Sequence, residues 1–186
     1  YFSGGQATVA AKANYFAGGP LPNAEVTWQV SSSPSSYSPP NWPDFVFGKW
    51  IPWWYGYDVL ESFGPYGPEY GGYEVETFSG LTDASGEHYL QLEFDQSGEP
   101  RPHSILAEAT VMDVNRQAWS AGTSLLVHPS ELYVGLRSPS TFVERGEPLE
   151  IELIVSDLDG NAISGRPIAV RAARLEWSSG AGGWDE

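Results

Sequence analysis

The 186-residue sequence contains no cysteine. That absence excludes a disulfide framework, a thiolate metal site and a cysteine nucleophile, and it leaves the redox compartment open. Methionine occurs once, at Met112, so no initiator is present, and the chain is read as a piece of a processed or longer polypeptide. No stretch approaches the roughly 18 uncharged apolar residues of a membrane helix. The opening Tyr1-Phe2-Ser3-Gly4-Gly5 lacks the basic and apolar regions of a signal peptide. Basic residues are scarce, with 9 Lys and Arg against 24 Asp and Glu and a net charge of −15. Phosphate recognition needs a basic footprint that releases counterions, so nucleic acid and anionic membrane surfaces are excluded as partners. Protein or neutral glycan remains.

A hydrophobic fraction of 41% with 14% aromatics is enough to build cores. The length predicts one or two domains. Apolar residues recur at alternate positions rather than at helical spacing, which predicts an all-β fold of antiparallel strands with one wet face. Val26, Trp28 and Val30 alternate with Glu25, Thr27 and Gln29; Leu149, Ile151, Leu153 and Val155 alternate with Glu150 and Glu152. The same period runs through Val9, Ala11, Ala13 and Tyr15, through Leu90, Leu92 and Phe94, and through Ile105, Ala107, Ala109 and Val111. Turn signals separate them: Gly18-Gly19-Pro20, Asp83 to Gly86, Gln96 to Gly98, Asp157 to Asn161 and Ser164-Gly165. This pattern predicts tandem Ig-like sandwiches.

Gly19 to Trp28 is echoed by Gly160 to Val170, each a Gly turn, a short polar link and an alternating strand. The joint falls at His128-Pro129-Ser130, giving a first domain over 1–129 and a second over 130–186. A seven-strand sandwich takes about 100 residues, so the second is expected to be incomplete. Ser178 to Gly183 reads as a flexible tail or the start of an unfinished loop.

Residues 31–79 break the strand rhythm. A Ser/Pro lead-in from Ser31 to Pro40 precedes a segment that, with Tyr37, holds 14 of the chain's 26 aromatics. Pro39, Pro40, Pro43, Pro52, Pro65 and Pro68 forbid a long regular element there, so it is an excursion between two strands of the first domain. At about 150 to 250 Å² per ring the cluster exceeds by far the roughly 300 to 600 Å² apolar patch a monomer tolerates. Most rings must therefore be buried, in a private mini-core over the sandwich or against a neighbouring domain. A third reading makes Trp42, Trp50, Trp53, Trp54 and Tyr55 a sugar-stacking platform oriented by Asp44, Asp58 and Glu61. Lys49 is the only base in the segment, which disfavours phosphorylated or sulfated ligands.

Catalytic constellations do not emerge, and neither cofactor-binding nor metal-binding residues are assigned. His88, His103 and His128 are scattered, and His88 is in phase with its strand. Glu74 and Glu76 share one face of a strand at a spacing that suits glycoside chemistry, against the plainer reading of a solvated edge. Asp157-Leu158-Asp159-Gly160-Asn161 is like the start of a calcium loop but lacks the distal Glu, so a hairpin turn accounts for it.

In order and spacing, Tyr15 to Trp28 with its Gly18-Gly19-Pro20 turn, Pro39-Pro40-Asn41-Trp42, Glu108 to Ala118, and Val127-His128-Pro129-Ser130 with Tyr133 to Leu136 resemble the macroglobulin-like domains of bacterial α2-macroglobulins. The resemblance covers nearly the whole chain and points to the third and fourth such domains. It implies a scaffold role in a large envelope protein, periplasmic and lipid-anchored, that inhibits endopeptidases by entrapment: the attacker cuts a bait segment, the molecule rearranges, and in many members a thioester tethers the prey. The thioester motif needs Cys, which is absent here, and no bait segment is assignable. The partners it implies are neighbouring domains of the parent chain and, through the parent, target peptidases.

Overall fold

Alternating sequence becomes buried strand where a second layer covers one face, and the first two thirds of the chain meet that condition. The computed structural model describes residues 1–48, 74–95, 100–140, 142–172, 176–178 and 183–185. All of the regular structure described is β. A four-stranded antiparallel sheet has the order β4 (Glu74–Leu81), β2 (Glu25–Pro34), β6 (His103–Met112), β7 (Ala118–Val127). Facing it is a pair, β1 (Gln6–Lys12) with β5 (Glu87–Glu93). Val26, Trp28, Ile105, Ala107, Ala109 and Val111 point from the large sheet toward Ala7, Val9 and Leu92 of the small one, and together they form the core. Trp28 is its keystone at 2% exposure, and its indole Nε1 donates to His88 Nδ1 at 3.0 Å across the two layers. His88 is thus an inter-sheet tie, with its Nε2 carrying the ring proton.

The connections follow from side-chain chemistry. Thr82, just past the end of β4, is buried against the link that leads into β2, donating to the Leu21 carbonyl at 2.6 Å and accepting from Ala24 N at 2.9 Å. Three turns share one construction. Asp83, Asp113 and Asp157 each use Oδ1 to accept backbone amides two and four residues ahead. In each the fourth residue takes positive φ, at Gly86 (76°), Arg116 (61°) and Gly160 (83°). The Asp157 carboxylate accepts from the Asn161 side chain and from the amides of Asn161 and Asp159, bonds that hold its pKa below the usual carboxylate range.

Beyond the His128 joint stands a smaller sheet, β3 (Val46–Phe47), β8 (Leu132–Arg137), β9 (Glu152–Asp157), followed by the short pair β10 (Glu176–Ser178) and β11 (Gly183–Asp185). Several sequence expectations need correction. Ser31 to Pro34 are strand, paired with Leu106 to His103, because β6 extends far enough to satisfy their backbone. Val75 to Phe78 are strand as well, so both ends of the expected 31–79 interruption belong to strands. The strand expected over Leu149 to Val155 starts only at Glu152; Leu149 and Ile151, ahead of it, are 54% and 43% exposed. Ala13 and Tyr15 lie past the end of β1. The echo of β2 at Arg166 to Val170 is not a strand, since those residues gain no ladder partner among the described residues. Ser178 and Gly183, expected in a flexible tail or at the start of an unfinished loop, are partners in the β10–β11 ladder. The turn expected at Gln96 to Gly98 lies outside the described residues.

Candidate functional site

β3 is supplied by the interruption in the first unit and pairs with β8 in the second, Val46 opposite Leu136 and Phe47 opposite Gly135. Residues 35–48 therefore form a strap from one unit to the other. Proline-rich sequence suits this role: it stays extended and does not compete for the ladder of β2. Gly135 is required beneath the buried Phe47, because a Cβ there would meet the ring at 2.7 Å and Ile154 Cγ2 at 3.0 Å. Trp42 Nε1 donates to the Gly160 carbonyl at 3.0 Å, and Asn41 Nδ2 reaches the same oxygen at 3.5 Å. Gly160 packs so tightly under the Pro40 carbonyl that any side chain would collide with it. Arg137 closes the edge, with Glu152 at 2.6 Å, Asp44 at 3.7 Å and the Phe45 ring centroid 4.8 Å from the guanidinium carbon. Exposed ion pairs of this kind contribute at most about 1 kcal/mol.

At the root of the strap sits the joint itself. His128 is 8% exposed; its backbone N donates to Tyr1 O and its carbonyl accepts from Ser3 N, both at 2.9 Å. Its ring lies edge-on to Tyr37 at 4.7 Å and Tyr133 at 5.8 Å, with Phe2 at 6.2 Å. Nδ1 is 2.8 Å from the Tyr133 hydroxyl, in a hydrogen bond whose direction follows the imidazole tautomer. Tyr37 in turn donates to Leu158 O at 2.5 Å, tying the joint to the Asp157 turn. Burial lowers the His128 pKa, with the Tyr1 amino group adding a smaller push the same way. Burial, followed by Tyr37, pushes Tyr133 up to about 12. Both rings are neutral near pH 7, and the site is a set of packed rings with satisfied polar atoms.

Of the proposed sugar platform only Trp42 lies among the described residues; Trp50, Trp53, Trp54 and Tyr55, with Lys49, Asp58 and Glu61, fall outside them. Trp42 is half-buried, edge-on to Phe45 at 5.8 Å, and its N–H is spent on Gly160. Together with Tyr37, Phe45 and Phe47 it meets the second unit, through Gly160, Leu158, Arg137 and Gly135 respectively. Asp44 lies 3.7 Å from the Arg137 guanidinium. Glu76 is exposed on β4 beside a groove of about 570 Å³ that also meets Glu93 and His103; the Glu74 side chain lies outside the described atoms. His103 is 3.4 Å from Ser32 Oγ, and burial followed by Arg101 lowers its pKa. Among the described residues no cluster of three or more His, Asp or Glu is placed to hold a metal ion. Sequence reasoning missed the joint's central contact. His-Pro marked the boundary, but Tyr37, far upstream, carried no sign that it would lie on that histidine.

The class these features define is an all-β chain of antiparallel sheets, and comparison with known proteins shows what it is similar to. No protein-family model matches. Escherichia coli α2-macroglobulin activated by porcine elastase superimposes with a TM-score of 0.59 over 98% of this chain and 16% of that one, at 15% identity. The α2-macroglobulin homolog of Nostoc is 21% identical over 178 residues, 96% of this chain and 9% of the relative. Circularly permutated Ras protein 2 of Dictyostelium discoideum is 27% identical over 167 residues, 84% of this chain and 4% of the relative. The resemblance to bacterial α2-macroglobulins thus holds in fold and in sequence. The chain spans less than a tenth of the length of either curated relative.

Proposed function

We propose that this chain is non-catalytic scaffold from a larger α2-macroglobulin-like protein that inhibits endopeptidases by entrapment. In this reading residues 1–129 and 130–186 are two macroglobulin-like domains, equivalent to the third and fourth, and the second is incomplete within this range. The parent is a lipid-anchored periplasmic or cell-envelope protein whose prey is a peptidase, and the contacts made by this part are with neighbouring domains rather than nucleic acid or lipid. The observation that supports the scaffold role is the strap: a loop of the first unit supplies a strand to the sheet of the second. A displacement of one unit is therefore passed to the other instead of being absorbed by a linker.

The test uses the parent protein. After exposure to an endopeptidase, the complex should retain hydrolysis of small peptide substrates while losing hydrolysis of large proteins. Gly160→Ala, which detaches the strap from its turn, should weaken that protection while the initial cleavage rate stays unchanged. Equal protection of large substrates in wild type and variant would remove the transmission role. Undiminished hydrolysis of large substrates by the wild-type complex would remove entrapment altogether. Carbohydrate recognition finds no support at Trp42, whose N–H and edge are already engaged.

A further inference from the structure

The inward face of the large sheet is apolar through most of its length and changes character toward the joint. Val30, Phe78 and Ile105 pack in or against the core. Strand alternation turns Ser32, Glu76 and His103, each two residues away from one of these, to the same inner face. A break of this kind in an otherwise apolar face marks function sooner than packing. Register sets Glu76 opposite Val30, Ser32 opposite Ile105 and His103 opposite Pro34, so the polar groups run diagonally over β4, β2 and β6. At the spacings of a sheet that diagonal is roughly 16 Å long.

These residues form one wall of the groove of about 570 Å³, a volume within the roughly 300 to 1,000 Å³ of small-molecule sites. The end of β5 forms the other, with Leu92 and Phe94 buried at its floor and Glu93 and Asp95 exposed at its rim. Among the described residues no lysine or arginine lines it. His103 adds no positive charge near pH 7, because burial, followed by Arg101, lowers its pKa. The carboxylates are strung along the groove and do not converge: among the described residues no three of them, with or without histidine, are placed to hold a metal ion. A ligand that fits is therefore long, apolar along its body and positively charged at intervals.

We propose that this groove binds an extended aliphatic ammonium chain, the chemistry shared by a free linear polyamine and by the lysine side chains of a basic peptide. Its methylenes lie on Phe78, Leu92 and Phe94 while its ammonium groups meet Glu76 and Glu93, as lysine stems and heads divide themselves between apolar and charged surroundings. Ser32 Oγ and His103 Nδ1 are 3.4 Å apart, a long bond that an ammonium N–H replaces at little cost. The inference goes beyond the scaffold reading and does not depend on peptidase trapping.

The experiment titrates spermidine into this chain in about 0.15 M salt, where attraction to the distant charges of an acidic protein is screened beyond about 8 Å. Amide shifts are read by NMR. Saturable shifts confined to β2, β4, β5 and the start of β6 are expected. The pair Glu76→Gln and Glu93→Gln should weaken binding by about tenfold or more. The pair Glu25→Gln and Glu108→Gln, which removes the same charge from the outer face of the large sheet, should leave it unchanged. Equal weakening by both pairs, or shifts that never saturate, would overturn the proposal by reducing it to net charge. So would equal binding of an uncharged alkane diol of the same length, or the same shifts from calcium ions alone. A lysine-containing peptide, acetylated and amidated at its ends, is the remaining arm. Tighter binding than spermidine assigns the site to a partner protein, weaker binding assigns it to free polyamine, and either upholds the ammonium chemistry.

Discussion

The two units of this chain are built from the same alternating sequence, yet only one has its alternation buried. In the first, each inward residue of β6 meets a second layer, and Ile105, Ala107, Ala109 and Val111 are all core. In the second, Leu149, Ile151, Leu153, Val134 and Leu136 remain exposed although their spacing is as regular. Period-two patterning specifies which face of a strand is apolar; burial also requires something to lay on that face. Among the described residues the second unit has the strap, which contributes Phe47 to its centre and Tyr37 and Trp42 to its rim.

That asymmetry can be broken deliberately. The largest effect is expected from Trp28→Ala, which removes the keystone and should cost about 3 to 5 kcal/mol. Urea unfolding followed by circular dichroism measures it; a loss under about 1 kcal/mol would show that the first core is not centred there. His88→Ala leaves the Trp28 N–H buried without its partner and should cost about 1 to 3 kcal/mol in the same assay. Gly160→Ala acts on the other unit. Left-handed backbone strains an L-residue by about 1 to 2 kcal/mol, and the new methyl collides with Pro40. Amides of β3 and β8 should exchange faster while those of β2 and β6 stay unchanged; equal acceleration in both would show that the units do not separate energetically.

Arg116→Gly should move the other way. It relieves the one left-handed non-glycine in the three Asp turns and should raise stability by about 0.5 to 1 kcal/mol, after the entropy glycine adds to the unfolded chain. The smallest effect is a pH response at the joint. His128 and His103 have pKa values lowered from 6.5 by burial, so the unfolded chain takes up protons first as pH falls. Stability should be independent of these groups above about pH 6.5. It should decline as pH falls from there toward their depressed folded values, then level off with respect to them. His128→Gln should shrink the slope, and an unchanged profile would mean that the joint does not contribute to it.

Much of the first unit is legible in the order of its residues, because its strands declare themselves locally: Val26, Trp28 and Val30 on one side of β2, four aliphatic residues on one side of β6. Of the three Asp turns, those at Asp83 and Asp157 are legible as turns, while the one at Asp113 is not, since Arg116 occupies the position that glycine fills in the other two. The aromatic interruption shows that rings have to be covered without showing by what. Of its described rings, the cover is the second unit, through pairings such as Tyr37 with Leu158 that lie 121 positions apart. The candidate site is legible only as a boundary at His128-Pro129; its rings arrive from three separate stretches of chain.

The amino-acid sequence alone determined that this chain is β, acidic and rich in rings that cannot face water, because strand period, charge and apolar area are properties of residues and their near neighbours. Tertiary structure alone decided that a loop of the first unit becomes a strand of the second. It also decided that one histidine lies among Phe2, Tyr37 and Tyr133. Ladder bonds and ring contacts form between whatever backbone and faces the folded chain brings within a few ångströms, and no local pattern encodes that meeting.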